Sequence, residues 1–278
     1  MSTILDKKFK THRFHIERFE SAMEVAETCK SRQMTSNSFD NIAKKKFSKW
    51  EGVKSYDEAL ELLRNGYQPT VEAMRDVFKA NVKGTVKRFT FQNTVQGFAP
   101  VVPLALKGVP NCMIDMRTKP IKAKVLDVYY DMTARCGIDS DDIIEAGQKL
   151  LGAIIELEKQ GYRFNLYAVQ SYYNGSGDML VVKIKSSDKP LDLKRISFPL
   201  THTAFFRVIG FDWYSKVPGG TYRGGYGHAV AYDYSDSDLK EMAETLFGKN
   251  SVYFSSVRLM EMDKDHVREV MTNGNSKA

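Results

Sequence analysis

From Phe14 to about Lys30, Phe14, Ile16, Phe19, Met23, Val25 and Ala26 recur at a spacing that predicts an amphipathic helix. Polar residues, including Lys44-Lys45-Lys46, fill 31–49 and predict a loop or short helix. Ser55 followed by Glu58 is a capping box opening a helix through Ala59, Leu62 and Leu63, which Asn65-Gly66 should end. A further helix starts near Pro69 and carries Val71, Met74, Val77 and Phe78. Together these predict an N-terminal helical region over 1–82.

The rhythm then changes. Lys87 to Thr94 alternates like a strand, and four prolines between Pro100 and Pro120 exclude a continuous helix. Residues 83–121 are expected to be an extended, apolar connection lying against the next domain. From 122 onward, strands are predicted at Val125–Met132, Arg163–Val169, Met179–Ile184, His228–Tyr232 and Val252–Ser255. Helices are predicted after Asp139, around Ala204–Ile209, after Ser235 and over Asp263–Met271. Strands alternating with helices imply a three-layer α/β domain with a largely parallel sheet over 122–278.

Composition narrows the function classes. Of 278 residues, 42% are hydrophobic and 27% charged, as in a soluble globule. No apolar run reaches the roughly 18 residues of a membrane span. Asp6, Lys7, Lys8 and Lys10 precede any apolar run, so no signal peptide is read and a cytoplasmic setting is expected. Cys29, Cys112 and Cys136 are widely spaced and odd in number, which argues against a disulfide framework or a CxxC metal site.

The net charge is +7, unevenly distributed. Residues 83–124 hold eight Lys and Arg against the single acid Asp115. A basic segment beside a more acidic remainder suggests a face for nucleic acid or an acidic protein. The candidate binding residues are Lys87, Arg88, Lys119, Lys122 and Lys124. In Pro218–His228, glycines permit close backbone approach, and Tyr222, Arg223 and Tyr226 can stack on bases or pair with phosphate. Neither a P-loop nor GxGxxG after a strand is present.

Catalytic signatures are sparse. HExxH, GxSxG and kinase motifs are missing from the sequence. His202 is a candidate general base if Asp131 or Asp233 lies nearby, or a buried structural histidine.

Asp131-Met132-Thr133-Ala134-Arg135, at the end of the first strand of the α/β region, resembles the Asp-x-Ser-x-Ser motif of von Willebrand factor A domains. In that family a carboxylate and hydroxyls hold a hard cation, usually Mg²⁺. The resemblance implies metal positions at Asp131 and Thr133, with Thr201 (or Thr203) and Asp233 as the later ligands. Arg135 departs from the motif, because it puts a cation where a hydroxyl belongs. The alternative is that Asp131 caps a turn and binds no metal.

Three further pieces resemble a family of uncharacterised tailed-bacteriophage proteins. They are Trp50-x-Gly52 leading into Ser55-x-x-Glu58-Ala59; Gly97-Phe98-x-Pro100-x-Val102-Pro103 with Gly108-x-Pro110-x-x-Met113; and Leu151 through Arg163 followed by Phe198-Pro199-Leu200-x-His202 and Arg207-x-x-Gly210-Phe211. This resemblance implies a phage origin, a host-cytoplasmic setting and a degenerate adhesion-type domain, and it carries no catalytic residue. The expectation is a non-enzymatic binding protein with nucleic acid or an acidic protein as partner. The alternatives are a metal-dependent phosphodiester hydrolase using Asp131, Asp233 and His202, and a virion structural or assembly protein.

Overall fold

Lys10 takes φ 51° in the computed structural model. That left-handed backbone lets a tight turn join β1 (Thr3–Phe9) to β2 (His12–Phe19) as a hairpin, Leu5 opposite Ile16. The structure describes residues 2–35, 41–82, 88–119, 124–135, 137–173, 176–219 and 228–273. The helix expected from Phe14 is therefore a strand first, and α1 (Ala22–Ser31) begins only where the Ser21 hydroxyl accepts the Glu24 N–H. The physical reason is coverage on both faces. Phe14, His15, Ile16 and Glu17 are buried in succession, a run that fits either periodicity.

A 3₁₀ turn, Ile42–Lys44, leads to α2 (Tyr56–Asn65) and α3 (Gln68–Val82). Ser55 caps α2 as expected, accepting from Glu58 N–H. Glu58 reaches one residue further back than a capping box predicts and accepts from Lys54 N–H at 2.6 Å. Gly66 ends the helix at φ 79°, close against the Lys194 carbonyl.

The described part of the next segment is not a simple extended connection but folds back on itself. β3 (Arg88–Thr94), β4 (Ala99–Pro100), the short α4 (Val102–Leu106) and β5 (Met113–Lys119) form a separate antiparallel sheet in the order β3-β5-β4. Its apolar side chains face water: Phe91, Val95, Phe98, Val102, Leu106 and Met116 are all exposed. Gly97 makes the fold-back possible, because a Cβ there would run into the Ile114 carbonyl. We call this three-stranded element the arm.

β6 (Lys124–Asp131) opens the α/β region, and Asp139 caps α5 (Ser140–Lys159) by accepting the Asp141 N–H. Gly161, at φ 96°, turns the chain into β7 (Tyr162–Tyr173), and β8 (Gly177–Lys185) returns antiparallel to it. Next come α6 (Leu193–Thr201), a π-helical turn Phe205–Gly210, and α7 (Phe211–Tyr214). The strand expected at His228–Tyr232 is a single bridge between His228 and Tyr173 followed by a 3₁₀ turn. The chain continues as α8 (Asp236–Phe247), β9 (Ser251–Ser255), α9 (Ser256–Glu261) and α10 (Lys264–Asn273).

The central sheet runs β1-β2-β8-β7-β6-β9. Three of its pairings are parallel (β2 with β8, β6 with β7 and with β9), while the hairpins β1–β2 and β7–β8 are antiparallel. This is a mixed α/β fold on a mostly parallel sheet. The first two strands belong to that sheet, not to a preceding helical region. Along β6, Leu126, Val128 and Tyr130 enter one core while Tyr129 enters another, the alternation of a sheet covered on both faces. No described helix is long and apolar enough to cross a membrane.

Candidate functional site

The carboxyl end of β6 holds Asp131, fully buried. Its Oδ1 accepts the Thr133 N–H at 2.9 Å and the Ser171 N–H at 3.3 Å. Its Oδ2 accepts the Tyr253 hydroxyl at 2.6 Å and the Ser171 hydroxyl. The Thr133 hydroxyl accepts from Ser171 N–H at 2.9 Å, and Ser171 Oγ accepts from Val230 N–H at 3.1 Å. Burial pushes the Asp131 carboxyl above its ordinary value, although these hydrogen bonds pull the other way. Burial and the facing carboxylate push the Tyr253 phenol well up, so it stays a donor.

The remaining positions implied by the adhesion-type resemblance are engaged elsewhere. Thr201 Oγ1 donates to the Ser197 carbonyl at 2.8 Å and meets Thr70 Oγ1 at 2.9 Å. Thr203 Oγ1 donates to the Trp50 carbonyl at 3.0 Å. Asp233 is exposed and pairs with His228 Nε2. The Arg135 guanidinium lies 3.8 Å from the Tyr232 ring centroid. A hard cation needs lone pairs turned toward one open position. Here Asp131 spends its oxygens on four protein donors, and Thr201 faces Thr70 and Ser197, so these residues do not fit a Mg²⁺ cage. Among the described residues no group of three or more His, Cys, Asp or Glu is placed to hold a metal.

His202 closes α6 rather than opening a helix. Its Nδ1 accepts the Ala204 N–H at 3.1 Å, and its ring packs on Tyr67 at 4.5 Å and on Phe198 at 5.3 Å. Burial lowers its pKa to about 4. Asp131, Asp233 and His202 each hydrogen-bond to different partners, and among the described residues no hydrogen bond joins any two of them.

The arm gathers the cations differently. Arg88 stands opposite Lys119 and Thr90 opposite Arg117 in the β3–β5 register. Both strands reach the base of the arm there, and exposed Lys124 starts β6 a few residues on, with Nζ 5.7 Å from the Tyr162 ring centroid. Lys87 and Lys122 lie outside the described residues, as do Tyr222, Arg223 and Tyr226. Further along the same two strands, Phe91 stands opposite Met116, and both are exposed.

Residues 8–275 match the family model described as a domain of unknown function, DUF7192. The chain belongs to that family. No curated protein and no solved structure matches it.

Two groupings in this DUF7192 chain escape sequence reasoning. Ser171 and Tyr253 complete the Asp131 network from β7 and β9, and nothing in their local sequence marks them. At the same end of the sheet, His12 Nδ1 lies 2.6 Å from both the Tyr173 and the Tyr234 hydroxyls. For the arm, Gly97-Phe98 offers one signal, since a glycine beside an aromatic in an otherwise extended run marks close backbone approach.

Proposed function

We propose that the protein is a non-catalytic nucleic-acid-binding protein that engages phosphates with the cations at the base of the arm. The observation that carries this reading is the register of β3 with β5, which sets Arg88 opposite Lys119, with exposed Lys124 five positions further along the chain. The segment 83–124, from which these residues come, contributes eight cations and one acid. Cations so placed release condensed counterions from a nucleic-acid backbone, and that release drives sequence-independent binding. The wider proposal keeps a phage origin, a host-cytoplasmic setting and a degenerate adhesion-type domain. Only the adhesion-type part draws on the fold, through β6, which lies between β7 and β9 and leads into Asp131-x-Thr133.

The test is fluorescence anisotropy of labelled DNA and RNA at several salt concentrations. Affinity should fall steeply with salt. Replacing Lys87, Arg88, Lys119, Lys122 and Lys124 by Gln should flatten the log–log slope by about 0.7–0.9 for each phosphate no longer neutralised. Retention that ignores salt, or no binding at low salt, overturns the reading and directs the search to an acidic protein partner.

A further inference from the structure

We infer that the arm carries a stacking platform for unpaired bases, so that the nucleic acid it takes is single-stranded. This rests on the nucleic-acid reading above and names the substrate class for the same element.

Phe91 and Phe98 are each 67% exposed, an unusual state for two neighbouring phenyl rings in a folded chain. Their centroids lie 6.3 Å apart at 60°. They line a cavity of about 480 Å³ together with Gln92, Asn93 and Ile114. Exposed aromatic faces stack on bases of any sequence, and Asn93, two positions along β3 and so on the same face as Phe91, adds an amide with both a donor and an acceptor. The backbone is built to keep the rings together. The Phe98 N–H donates to the Ile114 carbonyl at 2.9 Å, an approach that Gly97 permits by having no side chain.

Charge selects the occupant. A second copy would bring another segment with a surplus of seven positive charges onto the first, whereas a polyanion complements it. Duplex nucleic acid keeps its base faces stacked inside, out of reach of Phe91 and Phe98. A single strand offers both phosphates for the base of the arm and free base faces for the two rings.

The experiment titrates the full chain into labelled oligothymidylate, oligouridylate and a DNA duplex of the same length at low salt. Either single strand should bind about ten-fold or more tighter than the duplex. The double variant Phe91→Ala, Phe98→Ala should lose about that factor for the single strand alone, with unchanged circular dichroism and urea midpoint. Phe91→Leu with Phe98→Leu keeps the apolar bulk and removes the aromatic faces, so it should lose affinity as the alanine pair does. Equal binding of single strand and duplex, indifferent to either pair, overturns the platform and leaves the phosphate reading standing. Self-association abolished by the alanine pair also overturns it. Failure of every probe to bind at low salt removes the underlying reading itself.

Discussion

Tyr253 donates its phenolic hydrogen to Asp131 Oδ2 at 2.6 Å, tying the edge strand β9 to the end of β6 through side chains as well as through the backbone ladder. Removing the acceptor strands several buried donors at once, so Asp131→Ala should cost about 3 kcal/mol or more. Tyr253→Phe removes one donor and should cost about 1 kcal/mol. Urea denaturation measures both. An Asp131→Ala protein as stable as the parent would mean that the carboxylate is not a structural acceptor.

Glu17 is fully buried on β2 and takes a fork from Arg32 at 2.9 and 2.6 Å, with the Trp213 indole N–H at 2.8 Å. Burial alone would raise its pKa, but the Arg32 and Trp213 hydrogen bonds outweigh that and hold it below the ordinary value. Its stabilisation is therefore present at neutral pH and is lost as pH falls through the lowered folded value. Arg32→Ala leaves a buried carboxylate without its cation and should cost about 3–5 kcal/mol at neutral pH. The deficit relative to the parent should shrink in acid, where Glu17 in the variant takes up a proton. Denaturation curves at neutral and mildly acidic pH decide this.

His202 sets a second pH dependence. Its folded pKa of about 4 lies below the ordinary 6.5, so between these values the unfolded chain binds a proton that the folded one refuses. Its contribution is full above pH 6.5 and declines as pH falls toward 4, by about 3 kcal/mol in all. Subtracting the stability profile of His202→Gln from that of the parent should isolate this slope. A difference that stays flat from about pH 7 to about pH 4 would count against it.

Two glycines should separate binding from stability. Gly97→Ala drives a Cβ into the Ile114 carbonyl and should weaken oligothymidylate binding about ten-fold. The main urea transition should not move, because the arm's strands pair in their own sheet. Gly66→Ala combines φ 79° with a Cβ 2.6 Å from the Lys194 oxygen. It should cost about 1–3 kcal/mol and leave binding unchanged. Matched titrations and denaturation curves read both.

Where a local signal exists, the elements were legible. Ser55, Asp139 and Ser235 cap α2, α5 and α8 as their spacing predicts, and Gly66 turns the chain where expected. Phe14–Phe19 misleads because burial on both faces erases the difference between helical and strand periods. The composition of β7 and β8 suits two strands of a parallel sheet, yet they form a hairpin, since pairing direction is set by partners. At the arm, the surplus of cations is countable, but the Arg88–Lys119 pairing needs the register. Phe91 and Phe98 look like any core phenylalanines until their exposure is known. The Asp131 motif is visible, as is its own Thr133, whereas the other donors come from Ser171 and Tyr253, far along the chain.

The parallel pairing of Phe14 with Gly177 and Phe19 with Val182 has a consequence for synthesis on the ribosome. At about 5–20 residues per second, β2 emerges roughly 10–30 s before the strand it must lie beside. Until then the β1–β2 hairpin stands alone with one edge open, and a lone hairpin is marginal in water. Nascent chains halted before Gly177 therefore carry a ribbon whose Phe14, Ile16 and Phe19 lack their partner strand, a natural target for a ribosome-associated chaperone.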